Sequence, residues 1–396
     1  MILKRIVLKN FRNYGRQEFN FNDKFNFIYG NNGHGKTNIL EAVSYTTFGK
    51  SFLGSAESDC IRFSEDEFFI EAEFENDLEN RFNIVVNYNL PGKSKTIHLN
   101  KEKVTAFSSK LFGRFPLVFL SPKSLGITYG NPSERRKFFD ILISQVSRLY
   151  LDYLKDLAKI LKQKNALLRD HSLFRKYSSG ELNDLMYSYN EKLIEISSNI
   201  IYKRLAFLNE FDNYFRKNFS GLIVNDHKAH IIYSSDALSD IDLSGCKPEM
   251  NVLKKKMEEL IYGKFDEEIS RGSTLAGPQR DDYIFRLQKI HDTKEEFFDL
   301  RNFASQGEHK TFLVALKLSE YDYLKDKKST SPVLLLDDIL SELDENRVSK
   351  IISHLKEYGQ IFLTTTDLSY TQNLKSFYDD NEISVFQIEQ GELVSE

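Results

Sequence analysis

Over the first 120 or so residues, apolar and polar positions alternate with a period of two, in "RQEFNFN", "EFFIEAEFE" and "RFNIVVNYN". "NLPGKSKT" supplies a hairpin turn before "IHLN". This pattern predicts half-buried strands. After a last apolar strand, "PLVFLS", the period changes. Asn131-Pro132 reads as an N-cap and first helical position, and Phe138, Leu142, Leu149, Tyr153, Leu157, Ile160 and Leu167 follow at helical spacing. A Ser-Ser-Gly break at 178–180 separates them from Leu182, Met186, Tyr189, Leu193, Ile196 and Ile200, which step as heptads do. Two long helices joined by a loop predict an antiparallel arm or, equally, an ordinary helical subdomain with its own core. Beyond residue 280, "DDYIFRLQ", "PVLLLDD" and "QIFLTTT" read as strands with helices between them. The order predicts an α/β lobe built from both chain ends, 1–130 and 270–396, around an inserted helical domain, 131–269.

One loop in this lobe carries chemistry. Phe25, Phe27, Ile28 and Tyr29 make a short strand, and a helix runs from Lys36 to Phe48. Between them, Gly30, Asn31, Asn32, Gly33, His34, Gly35, Lys36 and Thr37 fit the pattern G-x-x-x-x-G-K-[ST]. Glycines let successive N–H groups turn inward around an anion, and the helix N-terminus adds partial positive charge. Lys36 can reach the terminal phosphates and Thr37 can complete a magnesium shell. His34 holds a variable position and reads as a loop residue, not a base.

Composition narrows the setting. With 396 residues, 41% of them hydrophobic, the chain can bury a large core in two lobes. A net charge of −4 argues against a globally basic nucleic-acid coat but leaves room for a local basic face. Cys60 and Cys246 match no metal spacing and suggest a reduced, cytoplasmic setting. "MILKRIVLKNFRNY" lacks the apolar core of a signal peptide, and no apolar run approaches a membrane span.

Two further stretches complete the nucleotide chemistry. In "PVLLLDDILSELD", Val333 to Leu336 form a buried strand ending in Asp337, at the sheet edge where ligands collect. Asp337 can hold magnesium opposite Thr37, and Asp338 can orient or deprotonate an attacking water. In "FASQGEHKTFLVALKLSE", Ser305 and Gly307 open an amphipathic helix and make a second helix-N-terminal anion site. One chain thus has two phosphate-seeking helix starts, as ABC-type ATPases do. In that class the second start faces the nucleotide of another subunit. Ser341-Glu342-Leu343-Asp344 looks like the D-loop that crosses such an interface.

The chain resembles the RecF family of SMC-like ABC ATPases along nearly its whole length. The resemblance rests on "LKNFRNY", "GNNGHGKTNILEA", "GNPSERRKFFD", "KQKNALLR", "TLAGPQRDD", "FASQG" and "PVLLLDDILSELD". It implies an ATP- and Mg2+-dependent homodimer that binds DNA at gaps and duplex–single-strand junctions. Such a dimer works with RecR and RecO to load recombinase. The sequence departs from the family pattern at Gln279, at Lys123 and Ser124, and at Glu308 in the signature. Thr366 and Asp367 stand where transporter ATPases carry a switch histidine. A transporter subunit would need that histidine and a coupling groove. A structural SMC tether would need a far longer coiled coil, and a phage-defence ATPase an added nuclease.

Charged residues outside the loop leave alternatives open. Arg135 and Arg136 begin a helix, where cations oppose the dipole, so each calls for DNA phosphate or an internal carboxylate. Arg280, beside paired aspartates, carries the same ambiguity. Lys155, Lys159, Lys162, Lys164 and Arg169 can share a helical face, either gripping DNA or merely solvated.

Overall fold

A computed structural model describes residues 1–105, 111–170, 177–222, 227–239, 241, 248–291, 294–341 and 345–395. The chain divides into two compact units. The first comprises Met1–Leu125, Lys217–Val224 and Ser305–Glu396, and the second Gly126–Arg216 and Asn225–Ala304.

The first unit holds two six-stranded sheets. One runs in the order Tyr14–Asn20, Ile2–Phe11, Glu67–Glu75, Arg81–Asn89, Ser94–Leu99, Glu102–Lys103, antiparallel throughout. Its strands bury every second residue, as in Phe68, Ile70, Ala72 and Phe74, which is the alternation the sequence displays. The other runs Glu392–Ser395, Ile383–Glu389, Phe25–Tyr29, Ile361–Thr365, Val333–Asp337, Leu117–Leu120. Its last five strands are parallel. Val333–Asp337 and Ile361–Thr365 are buried at every position, as central strands covered on both faces must be. The helices Lys36–Phe48 and Gln306–Lys328 also belong to this unit.

In the second unit the helical run from Asn131 is two helices, Pro132–Val146 and Arg148–Leu168. Ser147 separates them, and its hydroxyl accepts from the Tyr150 N–H to start the second. The 44-residue helix Ser179–Leu222 follows, with Met186, Leu193 and Ile200 of the heptad series fully buried. Leu168 packs with Met186 while Tyr150 meets Arg204, so these two helices run antiparallel.

The division differs from the boundaries 131–269 expected for the inserted domain. Asp282–His291 lies in a three-stranded antiparallel sheet with Lys228–Ser234 and Lys294–Asp299, so residues 270–304 group with the second unit. The reason is visible in the strand: Tyr283, Phe285 and Leu287 are buried and Arg286 is exposed, a one-sided pattern unsuited to a central parallel strand. Lys217 onward groups with the first unit, although the helix is unbroken.

Arg204, only 1% exposed, is the electrostatic centre of the second unit. It donates to both carboxylate oxygens of Asp140 (2.9 and 3.0 Å), to Asp281 (3.3 Å), to the Tyr150 hydroxyl (2.9 Å) and to the Pro278 carbonyl (2.9 Å). Burial raises the pKa of Asp281, and the Arg204 charge opposes that shift. Arg204→Met is expected to strand these carboxylates and to destabilise the second unit by about 3–5 kcal/mol. Urea denaturation checks this, and an unchanged transition midpoint would show that the network carries no net stability.

Candidate functional site

The phosphate-loop motif bridges the strand Phe25–Tyr29 and the helix Lys36–Phe48, at the carboxyl edge of the parallel sheet. Asn31, Asn32 and Gly33 are exposed, His34 and Thr37 are partly buried, and Gly35 and Lys36 are buried. Lys36 Nζ donates to the carbonyls of Gly30 (2.8 Å) and Asn31 (3.0 Å), lying across its own loop. Burial lowers its pKa, and the nearby carboxylates of Asp338 and Asp337 oppose that shift. Gly35 has φ +112°, and a Cβ there would stand 2.7 Å from the Asn13 side chain. Only glycine fits.

The crowding identifies residues whose role the sequence did not reveal. Asn13 Nδ2 donates to the His34 carbonyl (2.9 Å), and Asn13 Oδ1 accepts from Asn38 (2.8 Å). The Tyr14 hydroxyl donates to the Gly35 carbonyl (3.0 Å), and the Gly391 N–H to that of His34 (2.9 Å). Arg12 forms a bidentate pair with the fully buried Glu41 of the following helix (2.7 and 2.8 Å). Phe-Arg-Asn-Tyr is therefore the buttress of the phosphate loop. An open cavity of about 640 Å³, lined by Asn13, Asn38, Arg62 and the 94% exposed Phe63, adjoins these residues.

Asp337 and Asp338 sit at the end of the neighbouring buried strand, but their surroundings differ. Asp337 Oδ1 accepts from Thr37 and from Thr364, each at 2.7 Å. Burial raises its pKa, and the hydroxyls of Thr364 and Thr37 pull it back. Asp338 is left-handed at φ +49°, and its N–H donates to the Thr364 carbonyl (3.1 Å) and hydroxyl (3.1 Å). Among the described residues its Oδ1 has no hydrogen-bond partner, although solvent does not reach it. Burial raises its pKa and the charge of Asp337 raises it further. The arrangement offers one carboxylate oxygen held by two hydroxyls and another kept open. Thr37 and Asp337 are hard oxygen donors of the kind that Mg2+ accepts alongside phosphate oxygens.

Ser305 is the N-cap of Gln306–Lys328. Its hydroxyl accepts from the Glu308 N–H (3.3 Å), and the Glu308 carboxylate accepts from the Ser305 N–H (2.8 Å). Glu308 thus completes a capping box. Ser305 is exposed, and a Cβ on Gly307 would lie 1.9 Å from the Arg347 guanidinium, so this helix start carries a cation beside it. Among the described residues no hydrogen bond joins Ser305 or Gly307 to the phosphate loop. Glu342, Leu343 and Asp344 of the expected D-loop, together with Cys246, lie outside the described residues. Ser124 accepts from the Ser121 N–H (3.1 Å) to shape the turn after Leu117–Leu120, and Lys123 is exposed. Asp367 is exposed, its N–H bonded to the Thr365 hydroxyl (3.1 Å).

The remaining charged candidates mostly have internal partners. Arg135 is buried and bidentate to Asp282 (2.8 Å twice), and Arg136 donates to the Asp281 carbonyl. Arg280 is exposed and donates to the Thr274 carbonyl (3.1 Å). Gln279 donates to the Ala276 carbonyl (2.8 Å) within the same turn. Lys164, expected on a shared basic face, is fully buried against Glu268 at 2.7 Å. Lys155, Lys159 and Lys162 are exposed, while the exposed Arg169 donates to the Gly272 carbonyl (3.3 Å).

The RecF/RecN/SMC N terminal domain model matches residues 2–392. The DNA replication and repair protein RecF of Chloroherpeton thalassium is 38% identical over 370 residues, covering 93% of this chain and 95% of that protein. RecF of Clostridium acetobutylicum is 32% identical over 394 residues, 99% of both. The solved structure of the recombination mediator protein RecF with ATP, in the RecFOR pathway, superposes with a TM-score of 0.81 at 31% identity over 99% of this chain and 98% of that one. The Pyrococcus furiosus Smc head, at 17% identity and a TM-score of 0.56, shares the fold. Fold and site thus define an ABC-type ATPase of the SMC-like class. Within it, the chain belongs to the RecF family.

Asn13→Ala is expected to release one hydrogen bond from the loop and one from the helix that follows it, and to weaken ATP binding about tenfold, at about 0.5–1.5 kcal/mol per bond. Isothermal titration with ATP measures it. Parent affinity in the variant would leave Asn13 a fold residue only.

Proposed function

We propose that this chain is a cytoplasmic recombinational-repair ATPase that dimerises on ATP, binds gapped or junction DNA and helps load recombinase onto single strands. RecR and RecO are its proposed partners, following the pathway named for its solved relative. The observation that carries the reading is Ser305: a capped, exposed helix start, unbonded to the chain's own phosphate loop, suits a phosphate held by a second copy. The second unit is the proposed helical arm, and the exposed Lys159 and Lys162 are its candidate DNA contacts.

In the hydrolysis we infer, residues Gly30 to Thr37 wrap the phosphates with backbone N–H groups. The Lys36 ammonium leaves its two carbonyl partners for the β- and γ-phosphates. Thr37 and Asp337 would hold Mg2+, which when bound neutralises charge on the phosphate oxygens. Asp338 accepts a proton from water as the water oxygen attacks the γ-phosphorus. The bond from that phosphorus to the bridging oxygen breaks, and ADP leaves. Ser305 and Gly307 close over the γ-phosphate from the other subunit. Turnover is slow and serves as a timer, because the site is complete only while two heads stay together.

Sedimentation with and without ATP and duplex DNA tests this reading. The parent is expected to dimerise with ATP and to bind DNA with an affinity that falls steeply with salt. Lys36→Met is expected to lose ATP binding and dimerisation together. Ser305→Arg is expected to bind ATP as a monomer and fail to dimerise; loss of ATP binding in that monomer would place the serine in its own subunit's site. Asp338→Asn is expected to keep ATP affinity, lose at least about tenfold in kcat and prolong the dimer, the scale for removing a general base. Parent-level hydrolysis in this variant would move the base elsewhere, with Glu342 next to test.

A further inference from the structure

We propose that Lys310 is a positioning residue for ATP hydrolysis, pinning the segment that carries Asp338 to the helix that Ser305 caps. The inference rests on the proposed sandwich, in which that helix meets the nucleotide of the second copy.

Lys310 lies one turn beyond the cap, in Gln306–Lys328. Its Nζ donates to the Ser341 carbonyl at 2.7 Å, reaching a residue 31 positions away. The Ser341 hydroxyl donates in turn to the Asp338 carbonyl at 2.8 Å. The Asp338 N–H is fixed by Thr364, whose hydroxyl also holds Asp337. A chain of hydrogen bonds therefore runs from the capped helix through Ser341 to the Asp338 backbone, on through Thr364 to the Asp337 carboxylate, and from there to Thr37. Every link is a side chain bonded to a defined partner, and Lys310 supplies the one that enters from the helix.

The surroundings explain why this link matters. Asp338 has a left-handed backbone, which a non-glycine residue keeps only when its neighbours enforce it. Lys310, Ser341 and Asp338 line one cavity of about 240 Å³ whose other walls include Leu120, Leu313, Val314 and Ile339. In such apolar walls a backbone carbonyl needs a donor, and Lys310 provides it. If the link is cut, Ser341 and the Asp338 carbonyl can turn away together, while the phosphate loop keeps its own buttress from Asn13 and Tyr14. The expected signature is a loss in the chemical step with nucleotide binding preserved.

The test uses the full chain with Lys310→Met and Lys310→Arg, measuring steady-state kcat and KM, ATP affinity by equilibrium dialysis, and ATP-dependent sedimentation. In Lys310→Met, kcat is expected to fall about 10- to 100-fold, the scale of a misplaced reacting group, with ATP affinity and self-association within about twofold of the parent. Lys310→Arg, which can still donate to a carbonyl, is expected to recover most of kcat. Parent-level kcat in Lys310→Met overturns the proposal. So does a parallel loss of affinity and kcat, which marks a merely structural role, and so does an arginine variant no better than methionine. Failure of the sandwich shows instead in the parent, which would stay monomeric with saturating ATP.

Discussion

The site depends on a single oxygen. Asp337 Oδ1 accepts hydroxyl protons from Thr37 and Thr364, residues that lie 300 and 27 positions away. Through it the phosphate-loop helix, the central strand and the neighbouring strand are held together. A buried carboxylate is costly in isolation, and hydrogen bonds to the charged form offset that cost by about 1.5–3 kcal/mol each. The parallel sheet brings all three segments to one edge, since each of those strands ends there. Residues Gly30 to Thr37 are then a loop already shaped for an anion. The buttress of Arg12, Asn13 and Tyr14 supports it from the other sheet of the same unit.

Two adjacent aspartates in this setting cannot do the same work. Asp337 has one oxygen, Oδ1, held by the hydroxyls of Thr37 and Thr364. Asp338 pays for a left-handed backbone, about 1–3 kcal/mol, and keeps one carboxylate oxygen open. Burial and the neighbouring negative charge both raise its proton affinity, and its open oxygen suits the proposed general base. Lys36 lowers the proton affinity of both carboxylates. Division of labour thus follows from geometry, although the sequence presents an unbroken Asp-Asp.

Much of this site was legible in the sequence because its signals are local. The glycine spacing from Gly30 to Thr37, the apolar run that ends in Asp337 and the Ser-Gln-Gly helix start each declare themselves within a dozen residues. The sheets were legible where burial is regular. What escaped were partners distant in sequence. Arg204 is one arginine in a heptad-rich helix until Asp140 and Asp281 close around it. Lys164 keeps a basic periodicity with Lys155, Lys159 and Lys162, yet Glu268 draws it into the interior. In sequence the strand after residue 280 groups with those of the parallel sheet, and its one-sided burial and antiparallel pairing with Lys228–Ser234 and Lys294–Asp299 set it apart. Phe-Arg-Asn-Tyr was visible as a motif, but its contact with Gly35 depends on the fold.

These contacts bear on where the proposed DNA contacts would lie. The stretches Asn-Pro-x-x-Arg-Arg and Gly-Pro-x-Arg-Asp-Asp are largely joined to each other. Arg135 grips Asp282, Arg136 takes the Asp281 carbonyl, and Arg204 locks Asp281 against Asp140. An arginine already bidentate to a buried-side carboxylate has little capacity left for a phosphate, and stripping it away would leave an unpaired charge. The motif therefore reads as architecture for the second unit. The proposed phosphate-binding face would draw on other cations, and Lys159 and Lys162 are exposed on the helix Arg148–Leu168. With a net charge of −4, so few cations on one head make a weak anion site. Two copies brought together by ATP would double them on one surface, and counterion release grows with the number of phosphates neutralised. On that argument the proposed DNA binding would gain most from ATP-driven pairing of two copies.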